Sequence, residues 1–189
     1  MWPTDMELSE PMLDEESLAP ARALSPGLPV GWHVLHTKSR QEKTLATFLA
    51  SRQIAYYLPL VRSIRFHGHR KAVVDAPLFS GYLFLWGTRE QAFEADRTGR
   101  VAGIITVNDP AKLTHELESV RLALTSRVPL ALYPRLKKGL RAEVKAGPLK
   151  GIQGVIVGRG RNSRFFLNVT VLSQSAELEI DASLLEPVD

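Results

Sequence analysis

The stretch "PLFSGYLFLW", Pro77 to Trp86, places four aromatic residues and three leucines around a single Ser-Gly pair. Ser80-Gly81 is typical of a turn. In the following run, "YLFLWG", both alternating sets of side chains are apolar, as expected of a central strand that is covered on both faces. This segment therefore predicts a turn that enters a central strand of a β-sheet.

Side chains alternate between the two faces of a strand, so the run divides into two sets. Leu83 and Leu85 are predicted to face a core beneath helices. Tyr82 and Phe84 are predicted to line an open face of the sheet together with Phe79 from the turn, while Trp86 stays unassigned. Because an exposed apolar patch on a soluble domain usually marks a partner site, we predict a docking surface here.

The flanking segments alternate between strand and helix patterns. The sequence predicts strands at 31–37, 54–61, 82–87 and from Val101, with a hairpin turning at His67-Gly68-His69. Helices are predicted at the segment after Ser39, at 88–97 and at 112–127, the first two opened by capping boxes (Ser39 with Glu42, Thr88 with Gln91). The first and third helices carry apolar stripes, formed by Leu45, Phe48 and Leu49 and by Leu113, Leu117, Val120 and Leu124. This order predicts an α+β fold with a split βαβ, ferredoxin-like layout: an antiparallel sheet with helices and an inserted β-hairpin.

The pattern changes after residue 127. Residues 128–138 contain two prolines and are predicted to be a linker, and 139–189 show short β-prone runs between glycines. The runs "VIV", "NVTV" and "ELEI" predict a small all-β barrel. Residues 1–29 are acidic and proline-rich, which predicts a disordered tail. The predicted organisation is thus 1–29 tail, 30–127 first domain, 128–138 linker and 139–189 second domain.

Charge is distributed unevenly along the chain. The net charge is +4, but the first 29 residues hold six acids and one arginine, so the rest carries 23 basic and 14 acidic residues. Such a surplus suggests an anionic partner, usually nucleic acid, with ordinary surface charge as the alternative. There is no cysteine and no apolar run long enough to span a membrane, which predicts a soluble cytoplasmic protein without membrane contact.

The sequence offers no catalytic constellation. The glycine-rich "GPLKGIQG" lacks the ending of a phosphate loop. His67 and His69 could ligate a metal, but no further ligand lies nearby, and an exposed turn is the better interpretation. We therefore predict a protein that is not an enzyme and that uses no cofactor and no metal.

Basic residues form three clusters. Lys38, Arg40 and Lys43 lie where the first strand gives way to its helix, and helix amino ends favour anions. The hairpin carries Arg62, Arg65, Arg70 and Lys71, and residues 135–164 contain nine basic side chains against Glu143 alone. Since few aromatics are interleaved with them, contact with nucleic acid would be mainly to phosphate and weakly sequence-specific.

Three segments in this order resemble the NusG-like transcription elongation factors. "GWHVLHTKSRQEK" is similar to the opening of the family's N-terminal (NGN) domain, and "APLFSGYLFLW" resembles its Pro-Leu-Phe-Pro-Gly-Tyr-like run. "GLRAEVKAGPLKGIQGVIV" resembles a KOW motif of an SH3-like barrel, which assigns motif positions to Gly139, Val144, Gly147, Gly151 and Gly154. The resemblance covers about residues 31–188.

The resemblance implies a factor that binds the clamp helices of the largest RNA polymerase subunit and suppresses pausing or termination. By position it assigns polymerase contacts to Trp32, His36, Phe79, Tyr82, Phe84, Arg97 and Thr98. It assigns contacts with upstream or non-template DNA to Lys38, Arg40, Gln41, Lys43, Arg52, Arg70 and Lys71. The KOW domain is implied to recruit a small-subunit ribosomal protein, a termination factor or nucleic acid, and the protein is expected to be monomeric.

The sequence departs from the family pattern at one position of the central run. Ser80 stands where the family usually has proline, which keeps the turn but loosens its backbone. The hairpin arms and "KSRQEK" look closer to RfaH-like or polysaccharide-operon paralogues, which favours an operon-specific antiterminator. The alternative is a ribosome- or RNA-binding KOW module without polymerase function.

Overall fold

The computed structural model describes the backbone of residues 29–67, 70–126, 130–134, 139–157, 164–178, 180 and 182–188. The side chains of 63–67, 70–71, 130–134 and 182 are outside this description, as are the predicted acidic tail up to residue 28 and the His67–His69 turn. Contacts divide the chain into two units, one built from 11–60 and 75–110, the other from 61–74 and 111–189. Each unit is considered by itself.

The first unit contains a four-stranded antiparallel sheet and two helices. The strands are β1 (Gly31–Thr37), β2 (Ala55–Tyr57), β5 (Tyr82–Gly87) and β6 (Val101–Ile105), in the order β2-β5-β1-β6, and the helices are α1 (Glu42–Ser51) and α2 (Arg89–Asp96). Both β1 and β2 run antiparallel to β5, which lies between them. The predicted split βαβ layout with β5 as a central strand is confirmed.

The predicted leucine face of β5 forms the core under the helices. Leu83 and Leu85 are fully buried in one cluster with Leu35 of β1 and with residues of α1 and α2, among them Leu45, Leu49 and Ala95. Burying such side chains typically contributes about 1.5–3 kcal/mol each, so this face holds the helices on the sheet. The predicted stripe of α1 is confirmed at Leu45 and Leu49, whereas Phe48 is only partly buried at the cluster's edge.

The predicted strand at 54–61 is interrupted. The structure ends β2 at Tyr57 and begins β3 at Leu60, with Pro59 between them. Proline has no N–H for a strand ladder, which explains the break. The Pro59 carbonyl instead accepts a hydrogen bond from the Leu78 N–H at 2.8 Å.

The two predicted capping boxes have different outcomes. At α2 the box is present: the Thr88 hydroxyl accepts from the Gln91 N–H at 3.3 Å, and the Gln91 side chain accepts from the Thr88 N–H at 2.8 Å. At α1 the prediction was wrong, because Gln41 is the N-cap residue and makes no side-chain cap. Glu42 is the first helical residue, two positions before the third helical residue that a capping box requires.

The second unit contains the hairpin, the third helix and the β-rich part. Strands β3 (Leu60–His67) and β4 (Arg70–Pro77) pair with each other as predicted. Helix α3 (Pro110–Thr125) buries the predicted stripe of Leu113, Leu117, Val120 and Leu124. The remaining strands are β7 (Leu130–Pro134), β8 (Leu140–Val144), β9 (Gln153–Val157), β10 (Arg164–Val169), β11 (Gln174–Leu178) and β12 (Leu185–Pro187). They form one six-stranded sheet in the order β12-β8-β9-β10-β11-β7.

Part of the predicted linker is a strand. Leu130–Pro134 pairs antiparallel with β11, from Leu130 opposite Leu178 to Pro134 opposite Gln174. The strand lies at the edge of the sheet, where proline is tolerated. Pro134, one of the two prolines that suggested a linker, is therefore compatible with an edge strand, and the rest of the α+β and all-β fold class is as predicted.

A carboxylate joins α3 to the all-β sheet within the second unit. The Thr170 N–H donates to Oε2 of Glu116 at 2.9 Å, and the Thr170 hydroxyl donates to Oε1 of the same group. Thr170 opens a short 3-10 turn, Thr170–Leu172, between β10 and β11. Charged acceptors make comparatively strong hydrogen bonds, so this pair fixes the turn against the helix.

The KOW-like segment forms the turn between β8 and β9. Gly147 and Gly151 have φ angles of +85° and +88°, which favour glycine. The Val144 carbonyl accepts from the Gly151 N–H at 2.8 Å and closes the turn. Gly154 has another role, because an ideal Cβ there would lie 2.5 Å from Cζ of Phe165 and from the Phe166 carbonyl oxygen, and Gly139 is restricted in the same way by the Ile156 carbonyl.

No helix in the described part of the chain is long and apolar enough to cross a bilayer.

Gly154→Ala should destabilise the six-stranded sheet by about 1–3 kcal/mol, because a backbone oxygen and a buried ring must move apart. Chemical denaturation followed by circular dichroism measures the loss, and hydrogen exchange of β9 and β10 amides locates it. Gly103→Ala is the matched control, since nothing lies within 4 Å of its added methyl. Equal stability losses in the two variants would contradict the close approach at Gly154.

Candidate functional site

The side chains opposite the leucines form an aromatic face of the first sheet. The β1–β5 register sets Trp32 opposite Trp86, Val34 opposite Phe84 and His36 opposite Tyr82. On the other side of β5, Tyr57 lies opposite Phe84. The predicted grouping of Tyr82 and Phe84 on one face is what the register produces, and Trp86 lies on the same face.

The rings of this face contact one another in separate groups. Trp32 and Trp86 meet edge to face with centroids 5.2 Å apart, and Phe79 meets Phe84 edge to face at 6.3 Å. Tyr57 lies 6.3 Å from Phe84 on its other side. Such pairs contribute about 0.5–1.5 kcal/mol beyond their buried area, so the face is a packed aromatic layer.

The prediction of an open face was wrong for two of its three residues, because Phe84 is 0% exposed and Phe79 is 1% exposed. Trp32, to which the resemblance assigned a polymerase contact, is also buried. Phe79 folds back from the turn over Phe84, which sequence alternation along β5 could not indicate. Trp86, unassigned from sequence, is partly buried, and its indole N–H has no hydrogen-bond partner among the described residues.

The most exposed ring of the aromatic layer is His36, which is paired with Tyr82. Their rings stack with centroids 5.1 Å apart and planes inclined by 24°. His36 is exposed and Tyr82 is partly exposed, at the end of the β1–β5 ladder next to the Ser80-Gly81 turn. We call these two residues the exposed ring pair.

The turn that leads into Tyr82 has type II geometry. The Tyr82 N–H donates to the Phe79 carbonyl at 3.2 Å, and Gly81, third in the turn, has φ +84°. Ser80 is exposed and is not among the residues with positive φ, which distinguishes type II from its mirror relatives. The Gly81 carbonyl accepts from the Thr37 N–H at 2.8 Å and fixes the turn to the end of β1.

A buried carboxylate holds the same turn from the helix side. Oε1 of Glu42 accepts a hydrogen bond from the Gly81 N–H at 2.7 Å, and Glu42 is only 7% exposed. The sequence analysis gave Glu42 a capping role instead, because the contact joins residues 39 positions apart and no local pattern encodes it. The signal that was available is the acid itself, at the first helical position amid Lys38, Arg40 and Lys43.

The predicted cations at the start of α1 lie together at the surface. Lys38, Arg40 and Lys43 are exposed, and Arg40 holds a φ of +60° in the turn that precedes the helix. Gln41 accepts from Nη1 of Arg100 at 3.5 Å, and the Arg100 carbonyl accepts from the Lys38 N–H at 2.8 Å. Arg100 was missed from sequence because it reaches this cluster only through the β1–β6 pairing.

An open groove runs along the exposed side of α1. Lys43, Thr44, Thr47, Phe48, Ser51, Thr98 and Arg100 line it. The lining therefore combines two cations, hydroxyl groups and one aromatic ring, which are the groups that bind phosphates and stack on bases. We call this surface the α1 groove.

The remaining predicted contact residues do not form one further cluster. Arg52 lies 3.3 Å from Glu94 in an ion pair and 5.5 Å over the Phe48 ring, so its charge is partly balanced. Arg97 is the exposed C-cap of α2, and Thr98 lines the α1 groove while its hydroxyl donates to the Ala95 carbonyl at 2.7 Å. Arg70 and Lys71 belong to β4, but their side chains lie outside the described residues.

Comparison with protein families identifies the fold. The family model "Transcription termination factor nusG" matches residues 31–121. This segment contains β1 to β6, α1, α2 and most of α3, and thus the exposed ring pair and the α1 groove. Residues 31–121, a little under half of the chain, therefore match a NusG-type NGN domain in sequence and in the order of strands and helices.

Two other comparisons concern curated proteins and solved structures. No curated protein matches the chain by sequence. Among solved structures, the crystal structure of the MjSpt4:Spt5 complex in conformation B is similar over 83% of this chain and 96% of that chain, with 20% identity and a TM-score of 0.31.

Members of the NusG family are transcription factors and not enzymes, so the prediction of a non-enzymatic protein is confirmed by the family match. Within the described part of the chain, no three His, Cys, Asp or Glu residues come together as metal ligands. The possible histidine ligands at 67 and 69 are not part of this statement, because their side chains lie outside the described residues.

Ser80→Pro should raise the stability of the protein by about 0.4–1 kcal/mol, because proline suits the second position of a type II turn and restricts the unfolded chain. Gly81→Ala should lower stability by about 1 kcal/mol or more, since alanine is strained at positive φ. Thermal denaturation of both variants measures the difference. If Ser80→Pro is the less stable of the two, the turn geometry is wrong.

Proposed function

We propose that the protein is a transcription elongation and antitermination factor that binds RNA polymerase through its NGN domain. The observation that carries the proposal is the NusG-family match over residues 31–121, which contains an exposed ring pair beside a cationic groove. Within this proposal, the NGN domain spans about 30–127 and the KOW domain 139–189. The protein acts in the cytoplasm as a monomer.

In this proposal the exposed ring pair makes the central contact with the clamp helices of the largest polymerase subunit. His36 and Tyr82 offer stacked ring surface at low entropic cost, which is typical of interface hot spots. The predicted contacts Trp32, Phe79 and Phe84 act from beneath, since they are buried and hold the pair's strands in place. Arg97, exposed at the end of α2, and Thr98 contact the second large subunit.

The α1 groove is proposed to bind upstream or non-template DNA. Lys43 and Arg100 would contact phosphates, with the neighbouring hydroxyl groups as further donors. Lys38, Arg40 and Gln41 extend this surface at the start of α1. Arg70 and Lys71 of the hairpin are proposed as further DNA contacts of their own. Arg52 is expected to contribute less, because Glu94 already pairs with it.

The KOW domain is proposed to recruit a small-subunit ribosomal protein, a termination factor or nucleic acid. Its motif positions Gly147, Gly151 and Gly154 keep the β8–β9 turn and its packing, while the exposed Arg141, Lys145 and Lys150 surround that turn. The same basic surface supports the second candidate function, an RNA- or ribosome-binding module. The NusG-family match in the other half of the chain favours the first.

Tyr82→Ala and His36→Ala should each weaken binding to core RNA polymerase by about 2 kcal/mol, the usual effect of truncating an interface hot spot. Fluorescence anisotropy with labelled protein gives the Kd, and circular dichroism verifies folding. Phe93→Ala is the matched control, because Phe93 is an exposed aromatic residue (44%) on helix α2. Phe79→Ala is unsuitable for this test, since truncating a buried phenylalanine typically costs about 3–5 kcal/mol of stability.

Normal polymerase binding by both ring-pair variants, or an equal loss in Phe93→Ala, would contradict the docking assignment. Tight RNA binding without any polymerase binding would favour the second candidate function. Recruitment that depends on the DNA sequence of a paused scaffold would support a specialised RfaH-like or polysaccharide-operon paralogue over a general factor.

Lys43→Gln and Arg100→Gln should each weaken binding of a labelled single-stranded oligonucleotide and reduce the slope of log K against log salt by about 0.7, because one phosphate contact is lost. Anisotropy titrations at several salt concentrations measure both quantities. Arg52→Gln, at the C-cap of α1, is the comparison variant and should have the smaller effect, since its cation is already paired with Glu94. A slope that is unchanged in the first two variants would exclude the α1 groove as the phosphate site.

A further inference from the structure

The Glu42 carboxylate is an unusual group for its location. It is almost completely buried, and it accepts the Gly81 N–H at 2.7 Å. Burial of a carboxylate is costly unless hydrogen bonds and positive potential compensate. Here the compensation comes from the Gly81 amide and from the amino end of α1, where the helix dipole favours a negative group at the first helical residue.

This contact ties the polymerase-facing turn to α1 rather than only to the sheet. The Gly81 carbonyl is already bound by the Thr37 N–H at the end of β1, and Glu42 binds the Gly81 amide. Both hydrogen-bonding groups of Gly81 are therefore held by different elements. Together with the Tyr82 N–H bond to the Phe79 carbonyl, these two bonds hold Gly81 in its positive-φ conformation at the point where the chain enters Tyr82.

The exposed ring pair depends on that direction. Tyr82 follows Gly81 directly and stacks on His36, and an ideal Cβ at Gly81 would lie 3.7 Å from Cδ2 of His36. The His36 ring thus packs over the Gly81 backbone as well as over Tyr82. A displacement of Gly81 would move both surfaces against which His36 rests.

We propose that Glu42 is a positioning residue for polymerase binding, which acts by fixing Gly81 and thereby the stacked geometry of His36 and Tyr82. The inference rests on the proposed function of the ring pair, but its structural part concerns the free protein. Glu42 also stands between Lys38, Arg40 and Lys43, so it links the docking turn to the start of the proposed DNA surface.

The first test uses the free protein. In Glu42→Ala, the Gly81 amide proton should shift upfield and exchange faster with solvent, and the NOE contacts between the His36 and Tyr82 rings should weaken. Glu42→Gln should retain most of both signals, because the glutamine side-chain oxygen can still accept the amide. Unchanged Gly81 and ring signals in Glu42→Ala would overturn the inference, whatever the polymerase result.

The second test is a double-mutant cycle on polymerase affinity. Glu42→Ala should weaken binding by about tenfold, the factor that corresponds to one hydrogen bond to a charged group, and Glu42→Gln by about twofold. In a Tyr82→Ala background, Glu42→Ala should add less than about twofold, because residues that act through one another are not additive. Glu94→Ala, on α2, is the control for the loss of one negative charge.

A full tenfold effect of Glu42→Ala in the Tyr82→Ala background would overturn the inference, since Glu42 would then act independently of the ring pair. A lower melting temperature with unchanged affinity would overturn it as well and leave Glu42 with a stabilising role alone. If the unaltered protein fails to bind polymerase, the proposed function fails, while the amide and ring signals still decide whether Glu42 positions the turn.

Discussion

The antiparallel pairing of β1 with β5 is the interaction from which the other features of the NGN domain follow. Its register sets His36 beside Tyr82, Val34 beside Phe84 and Trp32 beside Trp86. Because side chains alternate, the same register directs Leu35, Leu83 and Leu85 to the helices. A slip by one residue would exchange the two faces, placing the leucines among the aromatics and removing the core beneath α1 and α2.

At the end of this ladder next to the turn, the buried aromatic layer is followed by residues at the protein surface. Trp32, Tyr57, Phe79 and Phe84 are buried and Trp86 is partly buried, whereas the ring pair beside the turn includes the exposed His36. The turn is held by Thr37 from β1 and by Glu42 from α1, so the accessible rings rest on two elements that are themselves fixed by the leucine core. Rigid support of this kind is what a docking surface needs, since ordering side chains on binding reduces affinity.

Local patterns predicted elements well where the determining contacts are local. The capping box of α2 involves residues three positions apart, and it is present. The box proposed for α1 has the same spacing but is absent, because Glu42 bonds to Gly81 across 39 residues. Likewise, alternation along β5 gave the two faces, whereas the burial of Phe79 and Phe84 depends on how the preceding turn folds back. Arg100 joins the basic cluster only through strand pairing.

The sequence by itself determined the order of strands and helices, the leucine and aromatic faces of β5, the positive-φ glycines of the KOW-like turn and the resemblance to the NusG family. These features depend on side-chain period, turn chemistry and residues close together in the chain. Only the tertiary structure decided which aromatic residues stay accessible, which acid holds the docking turn and which cations share a groove. These features depend on contacts between residues far apart in sequence, which no periodicity encodes.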